Sequence, residues 1–374
     1  MTRRAGRVPL AAANAGGLVV GALLDVAFGD PRRLHPVAGF GRAAGALERR
    51  LYSPGRMAGA GYAAIAVGTP VALAAAATVA TRHHPWVRAG MVAATTWAVL
   101  GGSTLRQEAL AIADSLDRGD ISTARQRLPH LCGRDPSTLD EAELSRATVE
   151  SVAENSSDAE VAPLVWGALA GLSGLVGYRA VNTLDAMVGH RSSRYRHFGT
   201  AAARLDDLAN LVPARLTAAL TVLVAPRAGG DARGALRTWL RDGTRHPSPN
   251  SGQCEAAMAG ALGVRLGGCN VYEGRVESRP TLGDGRTAKP EDIRRATRIS
   301  AAVGVVALAL CAGHSLAAPA RRALLRRLGR QMSERQRSRI PARPAQPGEP
   351  ECAKDHGLSA FAPHRAGKRN EAGR

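Results

Sequence analysis

Aromatic residues make up only 3% of this 374-residue chain, and that scarcity removes one class of function. Proteins that grip single strands or loops of nucleic acid stack the bases on aromatic rings. The excess of Lys+Arg, 50 against 31 Asp+Glu for a formal net charge of +19, has no such platform beside it and no nucleic-acid motif around it. No nucleic-acid partner is expected. Cysteine is also sparse: Cys132, Cys254, Cys269, Cys311 and Cys352 are scattered, with no C-x-x-C and no histidine at zinc-ligand spacing. That excludes a structural zinc and predicts free thiols. Neither a Walker A sequence nor a dinucleotide fingerprint occurs.

What the chain has in abundance is uncharged apolar runs. Met57 to Ala80 is long enough for a spanning helix, which needs about 20 apolar residues. Val87 to Leu105, charged only at Arg88 on its edge, follows a short basic turn, so the two read as a helical hairpin, and Ile299 to Pro319 is a third strong span. Val161 to Tyr178 is Gly-rich, Pro9 to Phe28 is broken only by Asp25, and Leu211 to Ala225 is short and carries Arg215. The fold class expected is all-α: a polytopic helical integral membrane protein whose long polar loops carry the motifs. Ala-rich helices of a soluble bundle are the competing architecture. The basic start "TRRAGR" resembles a secretory signal, but no small-residue cleavage site precedes Asp25, so the segment reads as retained. Three regions result: a membrane domain over 1–320, a basic amphipathic or polar segment over 321–340 suited to anionic headgroups or to solvent, and a tail over 341–374 whose composition predicts disorder.

Four polar stretches separate the apolar runs. "GDPRRLHPVAGFG" sets Asp30 and His35 each before a proline, which stiffens a turn that presents side chains. In the second stretch Glu150, Glu154 and Asp158 recur every four residues, so a helix stacks three repelling carboxylates at the mouth of an apolar run. A solvated acidic face is the ordinary explanation; a bound cation is the chemical one. The third stretch pairs Asn182 with Asp185 and Asp206 with Asn210 at helical spacing, beside Asp207, among Arg179, Arg191, Arg194, Arg196 and Arg204. Such groups at the rim of apolar segments pair with one another, bind a ligand or line a wet cavity. In the fourth, "RHPSPNSG" has His246 before a proline and Asn250 and Ser251 at a helix start, where backbone amides face an anion.

Together "GDPRRLHPV", "ESVAENSSD" with "VAPL", "AVNTLDAMVGH" with "FGTAAARLDDLANLVPARLTA", and "HPSPNSG" with "EAAMAGALGVRLGG" resemble the adenosylcobinamide-phosphate synthase (CobD/CbiB) family of cobalamin biosynthesis, in order from Leu18 to Leu310. The chain departs from the family pattern at Glu160, Cys254, Cys269 and Val271, and its basic tail has no family counterpart. The resemblance implies a multi-pass enzyme of the cell membrane. Its reaction would join (R)-1-aminopropan-2-ol, or its O-phosphate, to the ring D propionate of adenosylcobyric acid, consuming ATP with Mg²⁺ as activator. No permanently bound cofactor is expected; the lipid bilayer and other enzymes of late corrinoid assembly are the remaining partners. A transporter or cofactor-binding membrane protein of the corrinoid pathway is the alternative.

The chemistry of that reaction suggests roles. A carboxylate is inert to an amine until activated, most simply as an acyl phosphate, and Mg²⁺ bridges phosphates through oxygen ligands. Glu150, Glu154 and Asp158 are expected on one side of the metal, Asp206 and Asp207 on the other. Arg179, Asn182, Asp185, Arg204, Asn250 and Ser251 are the candidates for holding substrate or phosphate, and His35, His246 and Glu154 for moving the proton. One obstacle stands in the way. If Val161 to Tyr178 and Leu211 to Ala225 both crossed the bilayer, the third stretch would face away from the second and fourth, so re-entrant or buried segments are expected there.

Overall fold

The structure, a computed structural model, describes residues 10–31, 35–190, 192–272 and 275–337. The helices in chain order are α1 (Leu10–Phe28), α2 (Pro36–Leu51), α3 (Arg56–Ala80), α4 (Pro85–Val99), α5 (Gly102–Asp117), α6 (Ile121–Arg127), α7 (Glu141–Ser156), α8 (Ala162–Leu184), α9 (Thr200–Val224), α10 (Ala232–Asp242), α11 (Ser251–Leu262) and α12 (Pro290–Arg337). Between α11 and α12, strands β1 (Leu266–Tyr272) and β2 (Arg275–Leu282) form an antiparallel hairpin that hydropathy does not reveal. The chain divides into two compact units, Met1–Arg322 and Ala323–Arg374. The expected tail over 341–374 lies outside the described residues; of the segment 321–340, the backbone is helical to Arg337.

Among the described residues, five helical segments are long and apolar enough to cross a membrane: Leu10–Phe28, Arg56–Ala80, Glu141–Gly189, Thr200–Arg227 and Pro290–Ala317. The molecule is a polytopic helical membrane protein. The expected single span over Val87 to Leu105 is corrected: α4 stops at Val99 after 15 residues, about 22 Å at 1.5 Å per residue and short of a bilayer core of about 30 Å. Leu100 is extended, and a new helix begins at Gly102. α1 lies against α4 because Gly17 and Gly21 leave room for it; a Cβ on Gly21 would stand 2.4 Å from that of Thr96. Two small residues four apart are a common device for bringing membrane helices together.

Within Glu141–Gly189 the chain reverses. Gly171 has φ 60 and ψ −136, a conformation reserved for glycine. The Nδ2 of Asn182 lies 3.3 Å from Oδ2 of Asp158; on one straight helix, residues 24 apart would stand about 36 Å from each other. α8 is therefore a re-entrant hairpin with its tip at Gly171, beside Asn14 and Arg88. Non-straight backbone at membrane depth is tolerated where protein buries it, and both arms here are largely buried. α9 does not carry the chain away either. Asp206 near its start meets Asn182, and just past its end Gly229 O accepts from Arg295 at the start of α12. Hence the second, third and fourth polar stretches share one end of the molecule. α12 leads away from that end, placing Ser300 on Ser156 (2.8 Å) and Ser315 on Asn14 (3.3 Å). The main apolar core, with Ile112, Leu144, Val149, Met258, Ile293 and Ile299 fully buried, lies under these stretches and makes a rigid base for them.

Candidate active site

Two local devices prepare the site. α7 begins with a reciprocal capping box, Asp140 with Glu143, and runs out at Ser156 into a π turn, Ser157–Val161. A second π turn, Asp185–Gly189, ends α8. One extra residue per turn rotates the side chains that follow, and such turns concentrate at functional sites. Here the first delivers Ser157 and Asp158, and the second Asp185, into one cavity of about 220 Å³. α7 adds Glu154; α9 adds Asp206, Asp207 and Asn210; the start of α11 adds Asn250 and Ser251; and β2 adds Arg279.

The hydrogen bonds inside this cavity are few for its number of carboxylates. Ser251 Oγ donates to Glu154 (2.6 Å). Asn182, just behind the wall, donates to both Asp158 (3.3 Å) and Asp206 (3.4 Å). Asn210 donates to Asp206 (3.0 Å) and accepts from Tyr178 (3.0 Å). Asn250 Nδ2 donates to the carbonyl of Asp207 (2.8 Å). Five carboxylates thus share the cavity with one guanidinium, Arg279, among the described lining residues. Like charges so placed must be offset by protons or by bound cations. Buried atoms without a partner remain at the wall: Ser157 Oγ, Asn250 Oδ1 and His246 Nε2.

The structure brings together Glu154, Asp158, Asp185, Asp206, Asp207, His246, Asn250 and Ser251 of the residues expected from sequence, with Asn182 supporting them. Four others stand elsewhere. Glu150 belongs to an ion-pair node, accepting from Arg134 (2.5 Å), Arg146 (3.2 Å) and Gly267 N–H (2.7 Å). The acidic stripe therefore splits, one member holding the start of β1 to α7 and two facing the cavity. Arg179 is held by Val99 O and by Asn182 (3.3 Å), so it braces the break after α4 behind the cavity wall. Arg204 is exposed on α9 and does not line the cavity. His35 lies outside the cavity as N-cap of α2, its Nδ1 accepting from Val37 N–H (3.2 Å).

His246 repeats that device: its Nδ1 accepts from Ser248 N–H (3.0 Å), again across a proline. Both His-Pro pairs are turn locks. The lone pair of His246 is engaged, so its remaining ring nitrogen, Nε2, carries the hydrogen in the neutral form and points toward Glu255 Oε1 at 3.9 Å. Burial, with Arg279 nearby, holds its pKa below the usual histidine value. Glu255 is pushed well up by burial and then by Glu150 and Glu154. A neutral imidazole facing a buried carboxyl is the result.

Among the described residues, no three His, Cys, Asp or Glu side chains already converge as ligands of one ion. The donor set nonetheless suits a hard cation, since Mg²⁺ prefers carboxylate and hydroxyl oxygen and keeps several waters that bridge to ligands farther off. Ser157 Oγ and Asn250 Oδ1 are unpartnered oxygens of that kind. Sequence reasoning missed Arg279, which arrives on a strand that no periodicity announces. It also passed over Ser157, four residues before the apolar run begins at Val161. Asn210 was legible through its spacing from Asp206. Cys132, Cys254 and Cys311 are free thiols, as expected.

Comparison with known proteins agrees with the motif order. Residues 18–300 match the family model described as CobD/Cbib protein. A cobalamin biosynthesis protein CobD of Mycobacterium tuberculosis is 54% identical over 287 residues, 77% of this chain and 91% of that protein. Proteins of the same description from Geobacter metallireducens and Rhodobacter capsulatus are 49% identical over 277 residues and 43% over 288, covering 72% and 74% of this chain and 87% and 90% of their own lengths. No solved structure matches.

Proposed function

We propose, since the chain belongs to the CobD/Cbib family and has its role in cobalamin biosynthesis, that it is an ATP-dependent amide ligase of the cell membrane. The reaction joins the ring D propionate of adenosylcobyric acid to (R)-1-aminopropan-2-ol or its phosphate. The observation that carries this reading is the convergence of five carboxylates, Arg279 and the start of α11 in one cavity, although they come from three separate polar stretches. Its volume suits a small amine and the end of a polyphosphate, and its charge calls for cations.

In this reading Glu154, Asp158, Asp206 and Asp207 are the residues that would hold hydrated Mg²⁺, which would supply neutralisation of phosphate charge. Arg279 and the positive N-terminus of α11 hold phosphate oxygens. The propionate oxygen bonds to the γ-phosphorus as the bond to ADP breaks. The amine nitrogen then attacks the acyl carbon, and phosphate departs. One ammonium proton must leave first, and the cavity carboxylates are the acceptors within reach, because the lone pairs at His35 and His246 Nδ1 are occupied by Val37 and Ser248 N–H.

The test uses purified, detergent-solubilised protein. ATP should be consumed only when a cobyric acid and an aminopropanol substrate are both present, with one amide formed per ATP. Product without nucleotide, or none with all components present in an active membrane preparation, overturns the ligase reading in favour of a transporter or binding protein.

A further inference from the structure

A second cavity remains that the reaction centre leaves unused. It is a groove of about 520 Å³ between α1, α5, α8 and α12. Leu23, Val26, Leu110, Leu164, Val305 and Leu308 form apolar walls, and Leu23, Val26 and Val305 are exposed at the mouth. Its floor is different. Asp25, 2% exposed, spends Oδ2 on the N–H and hydroxyl of Ser103 (3.1 and 2.9 Å), and its Oδ1 has no partner. Glu160, 7% exposed, binds Arg106 through Oε1 (2.8 Å), and its Oε2 has no partner either.

Glu160 is wedged between two glycines: a Cβ on Gly102 would stand 2.0 Å from Oε1, and one on Gly304 2.9 Å from either carboxylate oxygen. Leaving buried acceptors unsatisfied is costly, so an oxygen pair at the bottom of an apolar groove selects a ligand with an apolar body and N–H donors on its edge. The groove also shares a wall with the carboxylate cavity. Ser157 and Asp158 of the π turn face one, and Glu160, two residues on, faces the other.

We infer that this groove docks the macrocyclic substrate, taking one apolar edge of the corrin with its primary carboxamides donating to Asp25 Oδ1 and Glu160 Oε2. This rests on the ligase reading for the identity of the macrocycle. The division of labour follows from size and polarity. A cavity of about 220 Å³ lined by carboxylates receives phosphate, cation and amine. The larger apolar groove receives the bulky partner, on the other side of the π turn from that cavity.

The experiment measures corrinoid binding by the full chain in lipid nanodiscs, by ultrafiltration and corrinoid absorbance, with adenosylcobyric acid as the probe and no ATP or amine present. Leu23→Trp and Val305→Trp fill the mouth from positions already exposed to lipid; Val20→Trp, exposed on α1 away from the groove, is the control. The groove variants should weaken corrinoid binding at least tenfold and raise its KM alike, leaving KM for ATP and aminopropanol unchanged. Parent-like binding in both groove variants, or no binding by the parent, overturns the inference. So does corrinoid binding that falls as phosphatidylethanolamine replaces phosphatidylcholine, which would make an amine lipid headgroup the occupant. Groove-sensitive binding without amide synthesis would instead sink the ligase reading alone, and amide synthesis with an unchanged corrinoid KM in the groove variants would sink this one alone.

Discussion

Two sets of carboxylates at the same end of the molecule have opposite surroundings. Asp242 and Asp292 are fully buried and saturated: the first accepts from Arg241 (2.8 Å), Arg245 (3.2 Å) and Gly283 N–H (2.9 Å). The second accepts from Arg286 (2.6 Å), Arg295 (3.0 Å) and Lys289 N–H (2.9 Å). The cavity set, Glu154, Asp158, Asp185, Asp206 and Asp207, has few donors and, among the described lining residues, one guanidinium. A carboxylate whose lone pairs are all used holds the fold together; one half-buried in a cavity with capacity to spare is free to bind something the chain does not itself provide.

Sidedness carries the largest expected effect, all or none. The unpaired set assembles only if α8 turns back at Gly171. Single cysteines at 118, 193 and 265, in a background lacking the native thiols, should all be labelled from one face of sealed vesicles, and one at 82 from the other. Labelling of 118 and 193 from opposite faces would dissolve the cavity as a common site.

Next in size is Glu154→Gln. If Glu154 helps hold Mg²⁺, loss of its charge should cut kcat by about 10²-fold or raise the Mg²⁺ requirement, in line with other electrostatic catalytic groups. Glu143→Gln is the internal control, because Glu143 serves the capping box of α7 and glutamine caps as well. Mg²⁺ titrations of amide synthesis, normalised to folded protein, separate the two. Identical behaviour of both variants and the parent would make the cavity set structural.

The saturated set should behave in reverse. Asp242→Asn is expected to lower stability by about 2 kcal/mol, as for hydrogen bonds to a charged group, while kcat per folded molecule stays unchanged. Hydrogen bonding from Arg241 brings the Asp242 pKa down to about 2. Its stabilisation is therefore complete above the ordinary carboxylate pKa and is lost as pH falls from about 4 toward 2. Thermal inactivation in detergent across that range should be steeper for the parent than for the variant.

Smaller still is the effect of His246→Asn, since an Asn oxygen accepts from the residue two along as the imidazole does. We expect kcat to change by less than about threefold, where loss of a general base costs about 10²–10⁴-fold. Because the His246 pKa is lowered in the fold, its stabilisation is present above the unfolded value of about 6.5 and falls as pH drops below it. The variant should lack that slope and keep the parent's pH–rate profile; a lost acidic limb would restore His246 as the base. Least of all, removing residues 341–374 should leave kcat unchanged, their composition being unable to bury a core.

Much of the site was legible because it is written in local spacing. The four-residue interval put Glu154 on the face that meets the cavity, Asn210 followed Asp206 on α9, and "PNSG" announced the start of α11. Glu150 obeys the same interval and was misplaced by it. Its fate depends on Arg134, Arg146 and Gly267 N–H, and the last of these is 117 residues away. His35 and His246 looked like proton carriers by residue type, yet each uses a ring nitrogen to lock the turn its own proline begins.

Helix content, membrane entry and the family's motif order are all readable from the unfolded chain, because hydropathy and periodicity are sums over neighbouring residues. The site itself depends on contacts between distant segments. A single glycine at φ 60 turns an apolar run of spanning length back on itself without altering its hydropathy. Which carboxylate binds and which one braces depends on the donors within about 3 Å of it, and distant segments such as β2 with Arg279 are brought to that distance only by the folded chain.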